Sequence, residues 1–193
     1  MPAAGSATMA YYYFDFRDAR KQDRYGLLSS LLSQLSAKSK ACSEVLFELR
    51  SNHPAETGNP TTRALTDCLK DMLRLPGQGQ IYIIVDGLDE CPDPPGTRSV
   101  REEVLELVTE LVGLKFPNLH LCVASRPEPS IRRTLEPLKP LQISLHDEKG
   151  QKNDIVNYIK SVVHSDIWMR SWSYENKEQV IQVLSARANG SYV

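Results

Sequence analysis

Three acids, Asp86, Asp89 and Glu90, follow an apolar run in the string IYIIVDGLDE, Ile81–Glu90. A carboxylate oxygen just past the last apolar residue of a strand suits a hard divalent cation that is also bound to phosphate. A second acid one turn further on can orient or deprotonate an attacking water. Downstream, LHLCVASRP sets Ser125 and Arg126 just past another apolar run. A guanidinium there can read a terminal phosphate through two parallel hydrogen bonds and stabilise charge during transfer. The plainer alternatives are a solvated acidic turn, and an arginine that caps a strand end or pairs with Glu128. The remaining reactive side chains form no such pattern. Cys42, Cys68, Cys91 and Cys122 are widely separated without a CxxC pair, which fits reduced thiols in the cytosol better than disulfides or zinc. His53, His120, His146 and His164 lack ligand spacing, and His120 falls inside an apolar run, where packing or an edge position suits it. Trp168 and Trp172 fit a core or docking role better than a base-stacking platform.

Positioning these groups requires strands. The five apolar or aromatic residues Ile81–Val85, bounded by Gly77-Gln78-Gly79 and Pro92, suit a strand buried on both faces. Such a strand cannot keep unpaired carboxylates along its length, but acids past its end reach the C-terminal edge of a sheet, where open α/β folds hold ligands. Upstream, Tyr11–Phe16 is aromatic enough for a strand and leaves in the charged turn Arg17–Arg20. Asp23 can cap a helix with Leu27, Leu28, Leu31, Leu32 and Leu35 at helical spacing. A short helix over Glu44–Leu49 follows, then one starting at Thr61 or Thr62 with Leu65, Leu69, Met72 and Leu73 on one face. After the acids, a proline-rich loop leads into a helix over Ser99–Leu114 that turns Val104, Leu107, Val108 and Leu111 to the sheet. Leu119–Ala124 is the next strand, Ile131–Leu135 a short helix, and Leu141–Leu145 a weaker strand. Asp147 can cap an amphipathic helix carrying Ile155, Val156, Ile159 and Val162, and a last helix over Glu175–Ala188 bears Val180, Ile181, Val183 and Leu184. Strands alternating with helices specify an α/β fold with a parallel sheet and right-handed crossovers.

Composition sets the outer bounds. A chain of 193 residues, 41% hydrophobic and 24% charged, suits one soluble globular domain. A net charge of -1 argues against a broad nucleic-acid or anionic-membrane surface. No apolar run approaches the roughly 20 residues that span a bilayer, and MPAAGSATMA is a poor signal peptide. A cytoplasmic protein is expected.

The string IYIIVDGLDE resembles a Walker B motif of the form hhhhDGhDE, as in the NACHT group of signal-transducing (STAND) P-loop NTPases. The resemblance implies that Asp86 is the magnesium ligand, that Gly87 is the small residue, and that Asp89 and Glu90 are the distal, catalytic acids. FPNLHLCVASRP is similar to the segment ending in the sensor 1 arginine of fungal members, which casts Ser125 and Arg126 as cofactor-binding residues. YYYFDFRDARKQ with LLSSLLSQL, ISLHDEKGQKNDIVNYI and VIQVLSARANGSYV resemble further segments of fungal NACHT proteins, including those with a nephrocystin 3-like N-terminal domain. The implied fold is a three-layer P-loop NTPase-like sheet of order 5-1-4-3-2, and the implied cofactors are Mg2+ and ATP or GTP. Relatives of this kind are NLR-like switches that oligomerise on binding nucleotide and carry repeats downstream, and in fungi they serve non-self recognition and cell death.

The sequence departs from that pattern in one respect. A P-loop NTPase wraps phosphate with GxxxxGK[ST], and no such string occurs here. In the family it precedes the Tyr11–Phe16 strand, so the expected fold lacks strand 1 and the P-loop, leaving the edge of Leu119–Ala124 exposed. A truncated gene model, a degenerate paralogue and a chain completed by a partner are the competing explanations. The expected organisation is a disordered stretch 1–9, a partial nucleotide-binding core 10–165, and a helical segment 166–193 leading towards a winged-helix region. Such a chain, though NTPase-derived, should bind nucleotide weakly, lack hydrolysis and hold no cofactor of its own. Its partners would be proteins or further copies of itself, engaged through regions outside these residues, with no nucleic acid and no membrane. The alternative from another class is a non-catalytic protein–protein interaction module that retains the fold. A third reading makes the three acids a metal-dependent nuclease cluster.

Overall fold

The computed structural model describes residues 7–18, 21–53, 58–93, 98–143 and 149–187. Its elements run β1 Thr8–Tyr13, α1 Arg24–Lys38, α2 Lys40–Asn52, α3 Thr62–Arg74, β2 Ile81–Asp86, a 3-10 turn Leu88–Glu90, α4 Val100–Gly113, β3 Leu119–Val123, α5 Pro129–Leu135, a 3-10 turn Glu136–Leu138, α6 Lys149–Ser165 and α7 Tyr174–Arg187. The chain is therefore α/β, with a three-stranded parallel sheet in the order β1-β2-β3. It divides into two compact units, Met1–Pro140 and Leu141–Val193. None of the described helices is long and apolar enough to cross a membrane.

Local chemistry accounts for the helix starts. Asp23 accepts the Gly26 N–H at 2.6 Å, Ser39 the Cys42 N–H and Thr61 the Ala64 N–H, each filling a donor that the first helical turn leaves without a partner. At α4, Ser99 and Glu102 close a reciprocal capping box. The leucines of α1, together with Leu69 and Met72 of α3 and Val104, Leu107 and Leu111 of α4, form the core with Ala10, Tyr12, Ile81, Ile83 and Val85 of the sheet.

This sheet is covered on one face only within its unit, contrary to the expectation that β2 is buried on both. Two successive right-handed crossovers in a sheet that grows one way place their helices on the same side. Ile81, Ile83 and Val85 point into the core, whereas Tyr82 is 41% exposed and Asp86 is exposed. Tyr82 shares the open face with Met9, Tyr11, Tyr13, His120 and Cys122, and its ring stacks on His120 at 4.7 Å. His120 is thus a surface residue of the open face. The outer edge of β1 is closed at Tyr11 by Gln34 of α1, which donates to its carbonyl at 2.7 Å and accepts its N–H at 3.1 Å, a side-chain stand-in for a neighbouring strand. Among the described residues no strand pairs with the outer edge of β3.

Other expectations need correction. Strand β1 begins at Thr8, inside the stretch 1–9 expected to be disordered. The helix expected over Glu44–Leu49 spans Lys40–Asn52. Leu141–Ile143 form no strand; Leu141 is 92% exposed, and the rest of that expected strand, with Asp147, lies outside the described residues. In the second unit, Ile155, Ile159 and Val163 of α6 pack with Ile181 of α7, with Val163 rather than Val162 turned inward. The expected boundary at 165/166 falls within this unit. Trp168 and Trp172 are exposed, not core.

Candidate functional site

The acids leave the sheet through a turn tied to both flanking strands. Past β2, Gly87 adopts φ +67, and a Cβ there would meet the Phe14 carbonyl oxygen at 3.1 Å. Glycine is required on both counts, conformation and space. The small residue after Asp86 thus has a structural reason in this chain. On the β1 side, the Phe14 N–H donates to the Asp86 carbonyl at 3.0 Å. On the β3 side, the Ala124 N–H donates to the Val85 carbonyl and the Leu88 N–H to the Ala124 carbonyl. Leu88 is fully buried and anchors the 3-10 turn from below.

That geometry gives the three acids different tasks. Asp86 is exposed at the C-terminal edge of the sheet, and its Oδ1 accepts the Gly87 N–H at 2.9 Å. Asp89 accepts the Arg126 N–H on Oδ1 at 2.9 Å, and its Oδ2 lies 3.4 Å from the Arg126 Nε. Glu90 reaches the other way, its Oε2 accepting the Phe16 N–H at 3.3 Å. The sequence brings Asp89 and Arg126 together from 37 residues apart, and Arg126 pairs with Asp89 rather than with Glu128. The Asp89 side chain is 12% exposed and that of Arg126 82%, so the pair has one buried foot and a guanidinium reaching into solvent. Ser125 is exposed beside it.

Next to β1, Asp15 accepts both the backbone N–H and the Nε of Arg17, at 2.9 and 3.1 Å. These bonds hold its carboxyl below the usual carboxylate range. Beneath the turn, burial pushes the Cys91 thiol up to about 12, against the opposing pull of the Arg101 guanidinium. Tyr12 is likewise pushed up to about 12 by burial, with a smaller contribution from Asp23.

Sequence reasoning missed Arg101. Its Nη2 donates to the Asp89 carbonyl at 2.7 Å and to the Cys91 carbonyl at 3.2 Å, while Nη1 pairs with Asp93 at 3.0 Å. One signal was present: a cation in the first turn of α4 opposes the helix dipole, so something other than the helix must hold it there.

Two apolar concavities, one of about 10 Å³ between Leu31, Ile83, Leu107 and Leu121 and one of about 160 Å³ between Ile155, Tyr158, Met169 and Leu184, include none of the candidate residues. Among the described residues no three of His, Cys, Asp and Glu stand where they could hold a metal together. A nuclease cluster of Asp86, Asp89 and Glu90 is therefore not formed, since two of them are engaged with backbone N–H groups in opposite directions. The donor set fits magnesium only in the form that takes one carboxylate and completes its shell with phosphate and water oxygens. Asp86 would be that ligand, with Arg126 and Ser125 facing the phosphate. No loop in these residues has the composition to wrap it.

The family model described as nephrocystin 3, N-terminal, matches residues 2–126. The chain belongs to the nephrocystin 3 N-terminal family. The match spans β1 to β3 and ends at Arg126, so every candidate residue of the strand-end site falls within the family's part of the chain. No curated protein and no solved structure matches it.

Proposed function

We propose that residues 1–193 are an incomplete nucleotide-binding switch module of the NACHT type, in which Asp86 binds magnesium carried by ATP or GTP. The observation that carries this reading is the meeting of Asp89 with Arg126 at 2.9 and 3.4 Å beside Asp86, all at the C-terminal ends of adjacent parallel strands. Ligands of open α/β sheets bind at that edge. The order β1-β2-β3 agrees with strands 2, 3 and 4 of a 5-1-4-3-2 sheet, and among the described residues no strand pairs with the edge of β3 where strand 1 would stand. Arg126 acts as the phosphate-reading group, and Glu90 occupies the position of the acid that would orient an attacking water in complete relatives. Asp89 serves more as the anchor of Arg126 than as a base, because both of its oxygens face that residue. With no phosphate-wrapping loop, this polypeptide binds nucleotide weakly and does not turn it over. In complete relatives the module would drive oligomerisation inside the cell, with fungal non-self recognition as the setting.

Titration of a fluorescent ATP analogue with and without magnesium tests this. Weak, magnesium-dependent binding that disappears in Asp86→Ala is expected. A micromolar or tighter affinity would refute the claim of weakness, and binding indifferent to Asp86→Ala would refute the site.

A second reading, a non-catalytic module that binds protein partners, is favoured by one feature. The open sheet face carries Met9, Tyr11, Tyr13 and Tyr82, each more than 40% exposed, and aromatic residues of this kind are enriched at protein interfaces. Unchanged nucleotide behaviour in Asp86→Ala together with loss of partner capture in Tyr11→Ala/Tyr82→Ala would favour it.

A further inference from the structure

Arg101 joins more of the site than any acid does. From the first turn of α4 its guanidinium spans the carbonyls of Asp89 and Cys91, the carboxylate of Asp93 and, at 3.5 Å, the Ser130 hydroxyl of α5. Its own N–H donates to the Pro92 carbonyl at 3.3 Å. The side chain is 12% exposed, and its Nε is buried without a hydrogen-bond acceptor. A buried charge and an orphaned donor are both costly. A residue serving only to cap a loop could avoid both by staying in solvent.

The cost is explained by what the two carbonyls hold. Asp89 is the residue whose carboxylate receives the Arg126 N–H and Nε. Its backbone lies past the end of β2, in a short turn stiffened from within by two 3-10 bonds alone, Glu90 N–H to the Gly87 carbonyl and Cys91 N–H to the Leu88 carbonyl. A planar guanidinium whose Nη2 bonds the carbonyls at positions 89 and 91, while Nη1 is fixed by Asp93, removes the freedom of that turn to rotate. We propose that Arg101 is a positioning residue of the strand-end site, fixing the acid-bearing turn so that Asp89 presents Arg126 towards the phosphate position. The assignment rests on the nucleotide reading for what the site serves, and on the geometry alone for what Arg101 does.

Amide hydrogen exchange, read residue by residue without nucleotide, separates the two. In Arg101→Gln the Arg126 amide should exchange faster by about tenfold, because its acceptor is no longer held, while the Ile81 and Ala124 amides, bonded within the sheet, stay as they were. Arg101→Lys keeps the charge and the aliphatic stem but offers one nitrogen where the guanidinium offers two, so it cannot hold the two carbonyls and the Asp93 carboxylate in the same planar arrangement; it should fold even if the glutamine variant does not, and should accelerate Arg126 by a smaller factor. An Arg126 rate unchanged in the variants, or accelerated equally with Ile81 and Ala124, overturns the positioning role. Because no nucleotide enters the measurement, loss of the magnesium-dependent binding described above would leave this result intact, and the converse holds as well.

Discussion

The two faces of the sheet are built from similar side chains and meet different fates. On one, Tyr12, Ile81, Ile83 and Val85 are buried under α1, α3 and α4; on the other, Met9, Tyr11, Tyr13 and Tyr82 remain exposed. Hydrophobicity does not separate them, since tyrosines occur on both. What separates them is the direction in which the sheet grows, which sends both crossovers to one side. The covered face therefore supplies stability, and the open face supplies surface.

Substitutions along β2 probe this contrast directly. Ile83→Ala should cost about 3 kcal/mol, as for other fully buried large-to-small changes, read as a lower urea midpoint at unchanged slope. At the sheet end, Gly87→Ala should cost about 2 kcal/mol, because a Cβ must adopt a left-handed conformation and press on the Phe14 carbonyl. Removing the α4 cap with Ser99→Ala should cost about 1 kcal/mol. Tyr82→Ala on the open face should cost less than about 1 kcal/mol; a loss as large as that of Ile83→Ala would show the face to be covered.

Titration sharpens the same comparison. Cys91 moves from 9.0 to about 12 and Tyr12 from 10.0 to about 12 on folding. Both are raised, so the folded state holds these protons more tightly than the unfolded one. Their contribution is complete below pH 9 and is lost as pH rises towards 12. Stability measured by denaturant should fall across that window, and the fall should be shallower in Cys91→Ala. Cys122, exposed on the open face, should react with a thiol reagent in the native protein, whereas Cys42, Cys68 and Cys91 should react only on unfolding.

Much of this fold was legible in the sequence because its signals are local. The leucines of α1 declare a helix by spacing, Asp23, Thr61 and Ser99 declare helix starts, and the apolar runs ending in Asp86 and Ser125-Arg126 declare strand ends. What was not legible depends on neighbours. Tyr82 and Ile84 read as interior because an unbroken apolar run looks the same whether one face or both are covered. The types and spacing of Asp89 and Glu90 likewise say nothing of the Arg126 and Phe16 N–H groups that they accept. Arg101 gave one faint signal, its charge at a helix start, because the carbonyls of Asp89 and Cys91 that it bonds carry no residue type. Leu141–Ile143 had the composition of a strand but, among the described residues, no strand pairs with them.

The central claim is that Asp86, Ser125 and Arg126 face one phosphate-bearing ligand at the strand ends. Backbone amide shifts of labelled protein, followed while magnesium and ATP are raised to millimolar levels, test it most directly. Shifts gathered at Gly87, Ser125 and Arg126, absent without magnesium and absent in Asp86→Ala, are the predicted result. Shifts confined to Tyr11, Tyr82 and His120 on the open face, or none at all, would contradict it.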